Sequence, residues 1–398
     1  MANTILTPTA VTREALRILH QKLNFVGNVN RTYDDSFAKS GARIGDSLKI
    51  RLPNQYTVRS GATLSAQDTT EISTTLQVAT QKGVDLNFTS VDLTLSLDDF
   101  AKRILDPAMA VLAANIEADA LTMMRDVYNN VPNIGSAITF GKVMSSRKVL
   151  NDNLAPMDSN RSILLNTQDN VDLVDSLKGL FQDSSAIKEQ YREGMMGRTG
   201  GYDFYENTLI PNDTTGTALA ATTYTVNGAV TANGSTSVTL ATGSTTFKKG
   251  DIVTFVGCNR VHPESKADTG VLQQFVITAD YAGGAGAVSI SPAVYTSGGR
   301  QNVVAAGIAN GVAVAKVGGA SAIYKPSLAF HKDAFAFATA DLVMPSGVDF
   351  ASRQVMDGVS MRVVRQYDIN NDKFPCRLDV LYGYKTIRPE LACRILSN

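Results

Sequence analysis

The chain has 398 residues, with 37 Lys+Arg against 37 Asp+Glu, a formal net charge of +0 and three cysteines. That length supports two or three domains with cores of their own. The balanced charge excludes a dedicated nucleic-acid binder, which carries a basic surplus, and the odd cysteine count excludes a secreted disulfide framework.

The opening Met1-Ala-Asn-Thr-Ile-Leu-Thr-Pro8 lacks a charged segment followed by an apolar one, so no signal peptide is expected. No apolar run reaches membrane-spanning length. Thr7-Pro8-Thr9-Ala10 opens a short amphipathic helix with Val11, Ala15, Ile18, Leu19 and Leu23 on one stripe. Two readings stand for it: a helix docked on its own domain, or an arm docked on a neighbouring subunit. Gly27 to Gly41 reads as an extended connector. Gly45 to Pro53 alternates Leu48, Ile50 and Leu52 with polar residues, the pattern of a half-buried strand ended by proline. A second alternating run lies at Val84–Phe88. Residues 54–83 between them are Thr- and Ser-rich and too poor in large apolar groups to build a core. They are expected to form a long two-stranded projection that gains stability from a neighbour; a disordered loop is the alternative.

The longest helical signal follows. Asp106 is a good N-cap and Pro107 suits the first helical position, where its missing N–H costs nothing. Met109, Leu112, Ala113, Ile116, Ala120, Met123, Met124 and Val127 keep a 3.6-residue period, which predicts one α-helix over 107–129. Asn115, Glu117, Asp119, Arg125 and Asp126 fall off that stripe and are expected in solvent. Ser96 to Leu105 reads as a helical lead-in, with Asp98 and Asp99 at its start, and Asn129, Asn130 and Pro132 as the stop. Long strands from distant parts of the chain are expected to cover the apolar face.

Phe140 to Asn151 reads as another helix, with Val143, Met144, Val149 and Leu150 apolar, and Ser162 to Asn166 as a buried strand. Thr167 to Asn170 is expected to cap a helix with its stripe at Val171, Val174, Leu177, Leu180 and Phe181. Gly194 to Tyr205 is a glycine-punctuated turn entering a strand. From Ala221 to Val317 no helical period survives. Short β runs at 224–226, 237–240, 252–256, 272–278, 288–290 and 303–304 are separated by turns such as Asn227-Gly228 and Asn233-Gly234. They predict a small Greek-key barrel or sandwich, inserted because α/β character resumes after it. Leu328 to Phe337 reads as a strand into a loop. Ser360–Tyr367 and Arg377–Ile387 read as two long strands, with Asp368–Asp372 as the polar hairpin between them.

The chemistry-bearing residues do not assemble. Cys258, Cys376 and Cys393 have no metal-ligand spacing and suit synthesis in a reducing cytoplasm. His20, His262 and His331 are far apart and read as structural. No P-loop, dinucleotide fingerprint or Gly-X-Ser-X-Gly elbow is present. Gly283, Gly284 and Gly286 lie between strands, not before a helix. Asp368, Asn370, Asp372 and Asp379 imitate a calcium loop, but Lys373 stands where that loop needs glycine, so a polar turn is the reading. No catalytic, cofactor-binding or metal site is assigned, no cofactor is expected, and the protein is not read as an enzyme.

A family resemblance is carried by Gly197-Arg198-Thr199-Gly200-Gly201-Tyr202-Asp203-Phe204-Tyr205, by Asn259-Arg260-Val261-His262-Pro263 with Gly270 to Thr278, and by Phe330-His331-Lys332-Asp333-Ala334-Phe335. Ser360-Met361-Arg362-Val363, Gln366-Tyr367-Asp368, Arg377-Leu378-Asp379-Val380-Leu381-Tyr382-Gly383 and Arg388-Pro389-Glu390-Leu391 add to it. In order and spacing these stretches resemble the coat proteins of P22-type tailed phages. The resemblance covers essentially the whole chain and is strongest over 197–205 and 250–398. It implies an α+β chain with the HK97-type (Johnson) capsid fold plus an inserted all-β domain. By that resemblance 1–40 is the N-arm, 41–92 the E-loop with its flanking strands, and 93–156 the P-domain with its spine helix. Residues 157–220 and 318–345 are then the A-domain, 221–317 the inserted barrel, and 346–398 the return to the P-domain. The implied function is a major capsid protein that self-assembles through pentamers and hexamers into an icosahedral shell. The shell encloses double-stranded DNA without reading its sequence. A scaffolding protein and a portal are the implied partners, no membrane is involved, and the shell is assembled in the host cytoplasm. The rival reading, from the Thr/Gly-rich β insert, is a secreted or surface adhesin or carbohydrate-binding protein.

Overall fold

The computed structural model describes residues 8–32, 45–64, 66–68, 71–88, 101–177, 197–356, 359–369 and 373–397. They form two units, Met1–Ile50 with Ser73–Leu121 and Phe335–Ile387, and Arg51–Ile72 with Thr122–Ala334 and Arg388–Asn398.

The first unit is built on the helix Asp106–Leu121, entered through a π-helical turn at Ala101–Leu105. Its interior has no glycine or proline, and the expected stripe residues Met109, Leu112, Ala113, Ile116 and Ala120 are all buried. The helix stops eight residues short of the expectation. From Thr122 to Asp126 the chain tightens into a 3₁₀ turn, a common way of bonding the last carbonyls of a helix, and this turn still buries Met123 and Met124. The lead-in residues 96–100 lie outside the described residues.

The cover of this helix also differs from the expectation. It comes chiefly from the N-terminal helix Pro8–Lys22, with smaller and similar shares from the short turn Phe25–Asn28 and the strand Thr80–Phe88. The N-terminal helix also packs on the strands Phe350–Met356 and Val359–Arg365. Val11, Ala15, Leu16, Ile18 and Leu19 are buried in consequence, so of the two readings of this helix the docked one is observed. A stripe of period 3.6 packs closely against another helical ridge, and the strand Thr80–Phe88 meets the helix directly, with Lys82 pairing to Asp119. Phe25 meets Phe335 edge to face with ring centroids 5.4 Å apart. The connector expected at 27–41 is pinned at Asn30, whose N–H bonds to the Phe335 carbonyl at 3.1 Å; residues 33–44 lie outside the described residues.

The sheet of this unit is organised by the long strand Phe374–Thr386. One edge pairs antiparallel with Thr80–Phe88, the other with Val359–Arg365 and Phe335–Ala340 in tandem. Phe350–Met356, a strand not anticipated from the sequence, extends the sheet beyond Val359–Arg365. Asp46–Leu52 and Ile72–Val78 form a separate two-stranded ladder. The expected two-stranded projection is therefore paired only at its base, and residues 53–71 carry no strand among the described residues.

The second unit holds a mixed sheet and a barrel. The sheet runs, edge to edge, Asn130–Pro132, Ala392–Leu396, Ser327–His331, Arg161–Leu165, Tyr202–Glu206 and Arg198–Thr199. The pairs Arg394↔Asn130 and Ser162↔Asp203 are in parallel register. Gly200 and Gly201 make the last hairpin with φ of +60° and +85°, a left-handed turn that side chains resist. The helix Phe140–Asp152 packs on the sheet and buries Val143 and Leu150. In the helix Thr167–Leu177 the apolar side chain buried is Leu173, while Val171, expected on the stripe, is 62 % exposed. The cap also lies one residue earlier than expected. It is Asn166, whose Oδ1 accepts the Asp169 N–H at 2.7 Å, and the residues 167–170 expected to cap are already inside the helix.

Five of the expected runs are observed as strands, at Ala221–Thr225, Ser235–Leu240, Ile252–Val261, Asp268–Ile277 and Gly286–Val294, and the sixth strand, Ala313–Lys316, was not anticipated. The fold is a closed barrel. Its first and second strands seal it through Asn227 N–H to Thr239 O at 2.8 Å and Ala241 N–H to Thr225 O at 2.9 Å. Tyr224, Phe247, Phe255, Phe275, Val288 and Ile290 fill the interior. The run expected at 303–304 makes only an isolated bridge, Val303 to Arg260.

Candidate assembly surfaces

The projection at residues 53–71 holds its shape through side chains. Gln67 Oε1 accepts from the Thr57 N–H at 2.9 Å and from its hydroxyl at 3.1 Å, and Gln67 Nε2 donates to Thr57 O at 2.6 Å. Arg59 donates to the Gly61 and Thr63 carbonyls, and Arg51 pairs with Glu71 at 3.1 Å at the base. Its large apolar residues face solvent: Val58 is 95 % and Leu64 84 % exposed. Apolar groups at the end of a segment without a core gain burial only from another chain.

The face of the first unit's sheet that carries Arg362 and Arg377 is polar. Arg362 Nη2 donates to Asp379 at 2.6 Å and Arg377 to Asp85 at 2.8 Å. Beside these pairs lies a cleft of about 540 Å³ lined by Asn87, Arg362, Gln366 and Arg377 among others. The Arg377 guanidinium holds the Asp85 carboxyl below its ordinary value. The cleft lining mixes these charged and amide groups with the apolar side chains of Leu86, Val348, Val364 and Pro375.

The root of the barrel is a buried charge cluster that spacing gives no hint of. Chain entry and exit pair at Asp213–Thr214 and Ile323–Tyr324. Asp213 accepts from Arg125 Nε at 2.7 Å and pairs with Arg394 at 3.4 Å. Arg394 is 1 % exposed and also donates to the Gly250 carbonyl at 2.8 Å. Asp251 Oδ2 accepts the Gly216 and Lys248 N–H groups, and Lys316 Nζ donates to the Gly216 and Gly319 carbonyls. Burial pushes the Asp251 carboxyl up, with hydrogen bonds and the cations of Lys316 and Arg394 opposing it. Each buried charge is thus paired or hydrogen-bonded, as burial requires. The barrel is further tied to the sheet by Asn130 and Gln274, whose amides exchange two bonds at 2.7 and 3.1 Å.

The residues singled out in the sequence stay apart. The three cysteines are free and buried. His262 Nδ1 accepts the Glu264 and Ser265 N–H groups within its own turn. His331 is 2 % exposed and lies between Asp158 at 3.1 Å and the Asp333 N–H at 3.2 Å, a structural tie at the end of its strand. The side chain of His20 is outside the described residues. Asp368 closes its hairpin on Lys373, Asp379 is committed to Arg362, and Asn370 and Asp372 lie outside the described residues. One expectation is overturned: Glu117, placed in solvent, is 1 % exposed and accepts the backbone N–H groups of Phe25 and Val26. Asp119 is only half-exposed, accepting from the Tyr382 hydroxyl and pairing with Lys82.

The projection leaves the apolar Val58 and Leu64 uncovered, as the contact surface of a subunit does. The chain belongs to the P22 coat protein family, described as "P22 coat protein - gene protein 5", which matches residues 9–396. It is a major capsid protein of a tailed phage, a component of the virion, with the HK97-type capsid fold. The adhesin reading has no support from this match. Comparison with curated proteins gives no match. Among solved structures the chain is similar to one from Mycobacterium phage Che8, at 14 % identity over 94 % of this chain and 90 % of that one, with a TM-score of 0.47. It is also similar to the head structure of Helicobacter pylori bacteriophage KHP40, at 12 % identity over 89 % and 84 % of the two chains, with a TM-score of 0.43. The virus-like particle from Pyrococcus furiosus matches at 7 % identity over 97 % of each chain, with a TM-score of 0.40.

Proposed function

We propose that the chain closes an icosahedral shell through pentamers and hexamers around packaged double-stranded DNA, with a scaffolding protein and a portal as partners and assembly in the host cytoplasm. The observation that carries the reading is the family match over residues 9–396. In this reading 1–40 is the N-arm, 41–92 the E-loop region, 93–156 and 346–398 the P-domain, 157–220 and 318–345 the A-domain, and 221–317 an inserted domain. Ring-forming contacts are heterologous and must close, so each subunit offers one surface and receives another. The exposed Val58 and Leu64 are the offered apolar groups, and burying each on a neighbour is worth about 1.5–3 kcal/mol. A formal net charge of +0 limits self-repulsion between the many copies. DNA is enclosed without base readout. Electron microscopy of the chain expressed with a scaffolding protein tests the proposal: closed shells are expected, and soluble protein that never forms shells would overturn it.

A further inference from the structure

The barrel loop at residues 295–301 runs against the root of the exposed projection. A Cβ built on Gly299 would lie 2.3 Å from the Gln55 carbonyl oxygen and 3.2 Å from the Tyr56 nitrogen, closer than any side chain permits. Glycine is what lets the two backbones meet there. The loop itself is fixed. Lys266 Nζ donates to the carbonyls of Pro263 and Gly299, both at 2.6 Å, and Gly298 takes a left-handed φ of +80°. The Arg300 guanidinium lies 4.2 Å over the Tyr295 ring. The projection is the softer partner, because the β-ladder beneath it ends at Leu52 and its internal bonds are made by side chains.

We propose that this contact is a brace: the barrel loop holds the root of the projection at Gln55 and Tyr56, so the barrel positions a segment far from it in sequence. The lysine-pinned loop supplies rigidity and Gly299 supplies the close approach. A change in the barrel then reaches Val58 and Leu64 without altering either residue. The brace is a property of the single chain and does not rest on the shell reading.

The test uses the unassembled full-length chain and reads amide hydrogen exchange across residues 54–64. Reactivity of the buried Cys258 thiol reports barrel integrity in the same sample. With Cys258 still protected, Gly299→Val is expected to speed exchange in that segment at least about tenfold, as freed local structure does. Gly286→Ala, whose Cβ would meet only the Tyr281 ring at 3.7 Å, is expected to leave it unchanged. Should the valine variant expose Cys258, Gly299→Ala places the same Cβ without the bulk and is read instead. Unchanged exchange in a Gly299 variant with Cys258 protected overturns the brace, and so does equal acceleration by Gly286→Ala.

Discussion

The Tyr382 hydroxyl donates to the Asp119 carboxylate at 2.6 Å, and Lys82 Nζ lies 2.7 Å from the same oxygen. Tyr382 sits on the central strand, Lys82 on its neighbour and Asp119 on the long helix, so one carboxylate ties the helix to two strands. Burial and the adjacent carboxylate both push the tyrosine's pKa up, which keeps it a donor. Tyr382→Phe keeps the ring stack on Phe337 and removes only the bond. A loss of about 0.5–1.5 kcal/mol is expected in urea unfolding. No loss would show that Lys82 alone satisfies Asp119.

Glu117 caps the turn after the N-terminal helix from the side, through the N–H groups of Phe25 and Val26. Glu117→Ala leaves two buried donors without their acceptor. The cost is expected at about 1–3 kcal/mol or more, with the N-terminal helix released first. Limited proteolysis at Arg13 and Arg17 alongside a thermal melt checks both parts. A variant with unchanged melting and unchanged cleavage would contradict the assignment.

Asp169, in the first turn of its helix, is 2 % exposed and accepts the Ser327 hydroxyl. Burial raises its carboxyl above the ordinary aspartate range, and the hydrogen bond from the Ser327 hydroxyl restrains the rise. A raised folded-state value means that the native chain holds the proton more tightly than the unfolded chain. Its stabilising contribution is full below the unfolded value of about 3.9 and is lost as pH rises through the folded value. Asp169→Asn keeps an acceptor for Ser327 and abolishes the titration. Urea midpoints measured from about pH 4 to pH 7 are therefore expected to move in favour of the Asn variant as pH rises. A constant offset between the two would refute the sign.

The barrel is expected to fold alone. A fragment of residues 217–318 contains every member of the closed core from Ala218 to Val314. It lacks Arg394, so the root cations and carboxylates meet water instead. Dispersed amide resonances and β-type circular dichroism are expected, and a random-coil spectrum would show that the barrel depends on the mixed sheet.

Replacing residues 58–68 by a short Gly-Ser turn removes Val58 and Leu64 and leaves the ladder at Asp46–Leu52 and Ile72–Val78 intact. The ladder boundary matters because Leu76 is buried and belongs to the folded monomer. Changing the loop length costs little, about 0.6 kcal/mol per doubling. The monomer's melting temperature is expected to hold, and closed shells are expected to vanish from micrographs. Normal shells would make the projection a passive loop.

The elements written in strong local patterns were legible in the sequence. The stripe from Met109 to Ala120 and five of the barrel strands with their Asn-Gly turns are where the local pattern placed them, while Ala313–Lys316 was missed. What failed were features decided by long-range partners. Glu117 has the spacing of a solvated residue, and only the chain end at Phe25 and Val26 makes it a buried acceptor. Val171 is exposed and Leu173 buried because the face a short helix buries is chosen by what it packs on, not by its own spacing. Arg394, Asp213, Asp251 and Lys316 come from four distant stretches, so no spacing could have joined them. Phe350–Met356 was missed because its alternation is broken by Ser352, Arg353 and Gln354.

Closure of the barrel also bears on crowding. An open sheet of the same strands would end in a row of unpaired amides and carbonyls, able to recruit the like edge of another copy. Sealing Ala221–Thr225 to Ser235–Leu240 through Asn227 and Ala241 removes both free edges at once. Subunits held at the packing density of a shell can then sit side by side for long periods with no register along which their inserts could zip into fibres.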